Sequence, residues 1–413
     1  MKHLLISLLS FVCSTVSAQQ SGVLIDNLKS LKVLMDGQWD SYPVGQLGSG
    51  HYVEISFDDL QHNYVRYTYN ITHCNADWTP SDLLTSDYMD GFNGSRIETY
   101  APSMNTAMLY NHYTLRLPND DVRLKVSGNY RVEIFEDGDD EPVAEACFSI
   151  VEPRVGIEIS VTSNTDIDTY NSHQQVSFDI NYSSYSVNRP EQELIPIVMQ
   201  NRRWDTHVED LKPTYLRTNT LIFNHNKKLV FDAGNEYRRF EMLDDHVPTM
   251  RIESMQYHDP LYHAIVMQDE QRINYIYDQD QDGRYYVRNG DELDYNTESD
   301  YFITHFQLLI PELSGGNLYL FGDFSNGRFT DDYLMQYNHV DHAYELTVPL
   351  KQGSYNYMYL FVPEGSTVGS YAETEGNFYQ TENEYSVLVY HRPFGARYDH
   401  LVGFQKVKYL GNN

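Results

Sequence analysis

The sequence predicts an all-β protein of two or three tandem β-sandwich (immunoglobulin-like) domains with few short helices. Runs that alternate apolar and polar residues recur along it, as in residues 65–71 and 130–134, which is the pattern of strands with one buried face. Tyrosine, which favours half-buried pleated surfaces, occurs 36 times against 3 tryptophans. A chain of 413 residues is longer than one hydrophobic core usually serves.

Residues 1–18 have the pattern of a secretory signal peptide. A single cation at Lys2 precedes the apolar run 4–12, and small residues follow it. A lipoprotein has small residues just ahead of its acylated cysteine, whereas Cys13 follows Phe11 and Val12. We therefore expect cleavage before Gln19. No later run approaches the roughly 20 apolar residues of a spanning helix. The sequence therefore predicts an exported protein without direct membrane insertion.

The remaining chain divides into three predicted domains, an N-terminal β-sandwich at 19–153, a middle β domain at 154–292 and a C-terminal β-sandwich at 293–413. The runs NYRVEIF and PVAEACFSIV, joined by the acidic turn EDGDDE, predict a hairpin in the first domain. INYIYDQDQDGRYYVRNG predicts another at the end of the middle domain. A short helix is expected from Pro80 to about Tyr88.

The charge balance restricts the class of partner. The chain has 59 Asp plus Glu against 29 Lys plus Arg, a net charge of −30. So much negative charge argues against nucleic acid or anionic lipid as a partner. It suits solubility or a basic protein surface.

The segment THCNADWTP gathers residue types that serve as nucleophiles, bases and metal ligands. His73 and Cys74 are neighbours on a predicted strand and therefore point to opposite faces, which makes them poor catalytic partners. No CxxC or HExxH motif is present, so zinc has no second ligand pair at a recognised spacing. We interpret the segment as structural, with Cys74 and Trp78 packed inward and Asn75 and Asp77 forming the turn.

Two cysteines follow the predicted signal peptide, Cys74 and Cys147. An exported location permits a disulfide. Pairing requires close, aligned Cβ atoms, which a sequence does not show. The sequence leaves open whether the two are bonded.

The acidic run Asp278, Asp280 and Asp282, followed by a glycine, matches the first half of a calcium-binding loop. The match then fails, because position twelve is Asn289 instead of a bidentate glutamate and the flanks resemble strands. The acids at 291 and 292 could substitute in another geometry. A calcium site and a solvated hairpin turn both stay open. No catalytic residue and no cofactor are predicted, since the motifs for them are missing.

Aromatic residues in the third domain raise a second possibility, a carbohydrate-binding module. Half of any alternating strand should nevertheless be core, and all three tryptophans lie outside this domain. The aromatic residues concerned are Tyr319, Phe321, Phe324, Tyr355, Tyr357 and Tyr359.

Several ordered motifs together resemble the plug protein family of the bacterial type IX secretion system, over nearly the whole chain after the signal peptide. The motifs that carry the resemblance are YTYNITHCNADWTPSDLL (67–84), NHYTLRLPN (111–119), SGNYRVEIFEDGD (127–139), GNEYRRFE (234–241), DGRYYVRN (282–289), SDYFITHFQL (299–308), LKQGSYNYMY (350–359) and EGNFYQTENEYSVLVYHRPFGARYDHLVG (375–403).

This resemblance implies a non-enzymatic gating protein in the periplasm, associated with the outer membrane. Such proteins close the periplasmic opening of the outer-membrane translocon barrel when no cargo is in transit, so the implied partner is that barrel. The resemblance supplies no catalytic residues to carry over. A periplasmic or secreted carbohydrate-binding module is the alternative.

Overall fold

The chain folds into three β-sandwiches packed against one another, and the predicted all-β class is confirmed. The computed structural model describes residues 21–290 and 294–411. The predicted signal peptide lies outside the described residues, as do the acids at 291 and 292 and the predicted domain boundary beside them. Within the described ranges, no helix combines the length and apolar character needed to cross a bilayer.

The first sandwich consists of the strands that precede residue 152. They are β1 Gly22–Val23, β2 Leu28–Met35, β3 Val44–Gln46, β4 Val53–Asp59, β5 Tyr67–Cys74, β6 Met89–Asp90, β7 Ser95–Arg96, β8 Thr99–Pro102, β9 Asn111–Leu117, β10 Arg123–Leu124, β11 Gly128–Glu136 and β12 Ala144–Val151. A sheet in the order β1-β12-β11-β5-β7, with β3 on β12, accompanies a sheet in the order β2-β4-β9-β8. The antiparallel pairing of β11 with β12 confirms the predicted hairpin.

The alternation of β5 explains how the sequence forms this core. Tyr67, Tyr69 and Ile71 are buried, whereas the residues between them are half-exposed. Across the ladder, Val132 of β11 lies opposite Ile71. The apolar residues therefore share the inner face of the sheet, as the period of two predicts.

The helix expected from Pro80 does not form there. Pro80 instead makes an isolated β-bridge with Cys74, and the Ser81 N–H donates to the His73 carbonyl at 2.9 Å. The chain thus folds back along β5 before it turns into the helix α1, Thr85–Tyr88. The other short helices are α2 Pro190–Glu193 and α3 Tyr295–Glu298, with 3-10 turns at Lys227–Leu229, Asp323–Ser325 and Asp331–Tyr333.

The middle sandwich combines strands from two separate parts of the chain. Its strands are β13 Gly156–Thr162, β14 His173–Asn181, β15 Leu194–Gln200, β16 Tyr215–Arg217, β17 Thr220–Phe223, β18 Val230–Asp232 and, far later, β29 Asn383–His391 and β30 His400–Tyr409. One sheet has the order β13-β14-β17-β16 with β18 on β14, and the other has the order β15-β29-β30. One hydrophobic core unites both segments, for example Phe178 with Val387.

The third sandwich lies between these two segments in sequence. Its strands are β19 Arg238–Met242, β20 Ile252–His258, β21 Leu261–Val266, β22 Asp269–Glu270, β23 Tyr285–Val287, β24 Tyr301–Leu309, β25 Gly316–Phe321, β26 Gln336–Asn338, β27 Ala343–Lys351 and β28 Gly353–Pro363. The strand β28 pairs with β19, β23 and β25, while β24 lies in the sheet β20-β21-β24-β27-β26 and also pairs with β22.

These sheets do not follow the ranges 154–292 and 293–413. The strands β29 and β30 continue β15 instead of joining the third sandwich, and β23 pairs with β28 instead of forming the expected hairpin. Strand periodicity indicates which residues face inward but not which distant strand is the neighbour. We propose that 156–232 with 383–409 forms the middle domain and 238–363 the third.

Buried polar contacts hold the first and third sandwiches together. Lys351 Nζ and the Tyr301 hydroxyl each donate to Asp58 Oδ2, both at 2.6 Å, and all three side chains are buried. The His112 ring contacts the other oxygen of Asp58 at 2.6 Å.

The first and middle sandwiches are joined in the same way. The Tyr390 hydroxyl donates to Asn129 Oδ1 at 2.8 Å, and the Ala76 N–H donates to Asp399 Oδ2 at 2.9 Å. All of these side chains are buried. Because breaking such contacts exposes or orphans buried polar groups, the three sandwiches form one interlocked body.

Candidate functional site

The three sandwiches meet around a half-enclosed cavity of about 160 Å³, which we call the junction cavity. All three tryptophans of the chain, Trp39, Trp78 and Trp204, line it. The third sandwich adds further aromatic residues, including Tyr285 and Phe321. The wall is therefore rich in aromatic surface.

A tight turn places Trp78 in this wall. The Trp78 N–H donates to the Asn75 carbonyl at 3.0 Å, and Asp77 Oδ1 accepts from the Thr79 N–H at 3.0 Å. Trp78 itself has φ of +63°, a left-handed conformation that closes the turn. Its ring is buried edge-on against Trp204, with centroids 5.7 Å apart. The predicted inward packing of Cys74 and Trp78 is confirmed.

The loop after β15 supplies two arginines to the wall. Arg202 forms an ion pair with Asp323 of the third sandwich. Arg203 donates from Nε to Asp205 at 3.0 Å, and its guanidinium lies 4.7 Å from the centre of the Tyr371 ring. Each arginine therefore has an acidic partner.

Lys32 of β2 is the third cation in the wall. Its Nζ lies 4.7 Å from the centre of the Tyr285 ring, a cation–π contact. Among the described residues, no carboxylate oxygen lies within 4.0 Å of this Nζ. Burial and then the nearby Lys351 lower the pKa of Lys32 to about 7, although Asp58 and Glu54 act in the opposite direction.

The charges of the wall contrast with those of the molecule. Among the described residues the cavity is lined by three cations, Lys32, Arg202 and Arg203, and by one acid, Asp323. The whole chain carries a net charge of −30. The junction cavity is thus an aromatic pocket lined by more basic than acidic side chains, inside a strongly acidic protein.

The calcium candidates are engaged with protein groups. Asp278 accepts from Arg239 at 2.5 Å, and Asp282 forms an ion pair with Lys408 at 3.4 Å. Asp280 accepts the Tyr237 and Asp282 backbone N–H groups, while burial and then Asp282 raise its pKa to about 7.

Within the described ranges these three acids do not form a group whose ligand atoms converge within 4.8 Å. Asp244, Asp245 and His246 do form one, in a partly exposed position. The contacts of Asp278, Asp280 and Asp282 favour an ion-paired loop over a calcium site.

The third-domain aromatic residues proposed for sugar binding are mostly core. Tyr355, Tyr357 and Tyr359 are all buried, as are Phe321 and Phe324, whereas Tyr319 is half-buried. The hydroxyls of Tyr357 and Tyr359 donate to Asp269 at 2.6 and 2.8 Å. These rings offer no exposed platform on which a sugar could stack.

Cys74 and Cys147, the two cysteines among the described residues, are buried and not bonded to each other. Cys74 lies on β5 and Cys147 on β12, and β11 runs between the two strands. Two strand spacings separate the cysteines by roughly 10 Å, beyond the roughly 7 Å that a disulfide tolerates.

We therefore expect Cys74 and Cys147 each to react with an alkylating reagent once the protein is unfolded without reductant. Mass spectrometry of tryptic peptides checks this. A peptide pair linked through the two cysteines would contradict the strand order.

Sequence reasoning found Trp78 but missed the junction cavity. Trp204 lies far from Lys32 and Trp39 in sequence, and none of the three belongs to a motif. The rarity of tryptophan beside abundant tyrosine was a signal, although it could not show that all three tryptophans meet.

The solved structure of another protein has a fold similar to that of this chain. A crystal structure of a hypothetical protein from Parabacteroides merdae ATCC 43184 is similar along its entire length. It is 46% identical, with a TM-score of 0.93 over 95% of this chain and 100% of that chain.

The C-terminal domain of the Streptococcus pyogenes antigen I/II-family protein AspA aligns over 93% of this chain and 99% of that chain. Its TM-score is only 0.17 at 8% identity, which does not indicate a shared fold. No curated protein matches the chain.

A family model covers the first sandwich. Residues 28–152 match the model described as the type 9 secretion system plug protein 1st domain. This range begins at the first residue of β2 and ends one residue after β12. The first sandwich of this chain therefore belongs to the type 9 secretion system plug protein family.

Proposed function

We propose that this protein is a periplasmic plug that closes the periplasmic opening of the type IX outer-membrane translocon barrel. The family match over residues 28–152 carries the proposal. Membership of this family indicates a role in type 9 secretion, and the family and the all-β fold favour a non-enzymatic role. A pore wide enough for folded proteins leaks small solutes unless one end is closed.

The interlocked architecture supports a capping role. A cap must present one fixed shape to the pore, and buried contacts such as Asp58 with Lys351 and Asn129 with Tyr390 resist relative movement of the sandwiches. The net charge of −30 suits a basic rim on the barrel. Such an interface weakens as salt screens it.

Three exposed apolar side chains form a candidate contact surface, which we call the loop surface. They are Leu84, Phe92 and Phe394, with exposed fractions of 68%, 84% and 95%. The segments that carry Leu84 and Phe394 are joined, since Arg397 forms an ion pair with Asp87 at 2.9 Å. Two of the three residues belong to the domain that the plug family model matches.

A pull-down from outer membranes solubilised in gentle detergent tests the plug. We expect the tagged protein to retain one very large barrel protein at near-equal stoichiometry, identified by mass spectrometry. The double variant Phe92→Ser, Phe394→Ser should retain less of the barrel protein, by a factor of roughly ten or more. Aromatic side chains often contribute most of the binding energy of a protein interface. Val340→Ser is the matched control, since Val340 is 85% exposed on a loop of the third sandwich.

The outcomes separate the plug from its surface. If the unaltered protein retains no barrel protein and binds a polysaccharide column instead, the carbohydrate-binding module replaces the plug. If the double variant retains the barrel as well as the control does, the loop surface is wrong and the plug stands.

Deleting the protein should also admit a large hydrophilic dye into the periplasm through the open translocon.

A further inference from the structure

Two buried hydrogen-bond donors in the wall of the junction cavity lack acceptors. Trp78 Nε1 and Arg203 Nη1 find no partner among the described residues, although both side chains are more than nine-tenths buried. Buried donors in native proteins are almost always paired, with protein, water or a ligand. The cavity therefore presents unused donors to whatever fills it.

The wall also presents an unpaired cation. Arg202 and Arg203 each have an acidic partner, in Asp323 and Asp205. Lys32 has only the face of Tyr285 beside it and no carboxylate within 4.0 Å among the described residues. Lys32 is half-buried, and Asp58 and Glu54 act on it only from beyond 4.0 Å, so an anion in the cavity would supply a nearer counter-charge.

Size and surface restrict the body of such an anion. A cavity of about 160 Å³ is close to the engineered cavity of roughly 150 Å³ that accommodates benzene. Three tryptophan rings and the ring of Tyr285 line it, so an apolar or aromatic body finds matching contacts. Inorganic anions match the charge but leave this aromatic surface unfilled.

We propose that the junction cavity binds a small organic carboxylate with an apolar body, its charge at Lys32 and its body among the tryptophan rings. Trp78 and Arg203 offer unpaired donors to the polar atoms of such a ligand. Water alone would satisfy these donors but would place no negative charge beside Lys32. The site is separate from the loop surface, and the ligand is a molecule of the size of benzoate.

Intrinsic fluorescence reports directly on this site, because all three tryptophans of the protein line the cavity. Benzoate is the probe, titrated at constant ionic strength with excitation at a wavelength that only tryptophan absorbs. We expect a saturable change in emission, distinct from the linear effect of collisional quenching. Benzyl alcohol has the same ring without the charge, and its affinity should be lower than that of benzoate by a factor of roughly ten or more.

A variant pair tests the role of the cation. Lys32→Met keeps the length of the side chain and removes its charge, and should weaken benzoate binding roughly tenfold or more while leaving benzyl alcohol unchanged. Lys29→Met on the same strand is the control, since Lys29 lies outside the cavity lining. Thermal unfolding establishes that both variants fold.

Several results would overturn the proposal. The absence of a saturable change with benzoate on the unaltered protein would leave the cavity to water, and this test needs no variant. Equal binding of benzoate and benzyl alcohol would remove the carboxylate from the proposal. Equal loss of benzoate binding in Lys32→Met and Lys29→Met would show a general charge effect.

Discussion

Lys351→Met is expected to destabilise the protein by about 3–5 kcal/mol, because it leaves the buried Asp58 carboxylate without its cation. Lys351 Nζ donates to Asp58 Oδ2 at 2.6 Å and to the Asn296 carbonyl at 2.7 Å. Both charged side chains are almost completely buried between the first and third sandwiches. Removing one member of such a pair therefore costs more than the pair itself contributes.

Denaturant unfolding followed by circular dichroism measures this loss. Lys29→Met is the control, since Lys29 pairs with Asp332 at 3.3 Å on the surface and should change stability by about 1 kcal/mol or less. A Lys351→Met protein as stable as this control would show that the contact between the two sandwiches does not hold them together.

The same pair predicts sensitivity to acid. Burial raises the pKa of the Asp58 carboxyl, but Lys351 and His112 together outweigh burial and hold it at about 2. The unfolded-state pKa is about 3.9, so this carboxylate stabilises the fold fully above that pH and loses its contribution as pH falls towards 2. Between pH 4 and pH 2, Asp58→Asn should lose less stability than the unaltered protein. Equal losses would contradict the assignment.

Trp78→Ala is expected to cost about 3–5 kcal/mol, the range for deleting a large buried aromatic side chain. The Trp78 ring fills the space between Trp204 and the cluster of Cys74 and Cys147. Denaturant midpoints measure the loss, and tryptophan emission should shift because Trp204 becomes more exposed. A midpoint close to that of the unaltered protein would mean that the surroundings collapse to fill the space.

Cys74→Ser is the matched control for this change within the same cluster. Cys74 Sγ lies 3.8 Å from the Thr72 carbonyl, so a serine hydroxyl has an acceptor nearby and should cost about 1 kcal/mol. We expect Cys74→Ser to keep the pull-down of the barrel protein. A folded Cys74→Ser protein without that binding would give this cysteine a functional role that we do not assign.

Local pattern was sufficient for much of the fold. The alternation of Tyr67, Tyr69 and Ile71 correctly predicted their burial, and the turn EDGDDE correctly predicted the β11–β12 hairpin. The helix placed at Pro80 was wrong, because a bridge from Pro80 to Cys74 keeps that segment extended. Capping residues indicate where a helix can begin, but tertiary pairing decides whether it does.

Distant pairing was beyond the sequence. The pattern of β29 is that of any buried strand. It does not indicate that β29 pairs with β15, which lies almost 200 residues earlier. The junction cavity has the same origin, since Lys32, Trp78 and Trp204 come together only when two sandwiches have packed. A period of two reports the face of a residue and carries no information about such long-range contacts.

The divided middle sandwich determines the order in which the chain can fold during synthesis. A chain that emerges N-terminus first delivers 238–363 before β29 and β30, so the third sandwich can close while the middle one still lacks two of the three strands of its second sheet. Until residues 383–409 arrive, apolar side chains such as Val176 and Phe178 lack the partners that bury them. During that interval the exposed apolar surface favours aggregation, and the β29–β30 hairpin is the element that ends this exposure.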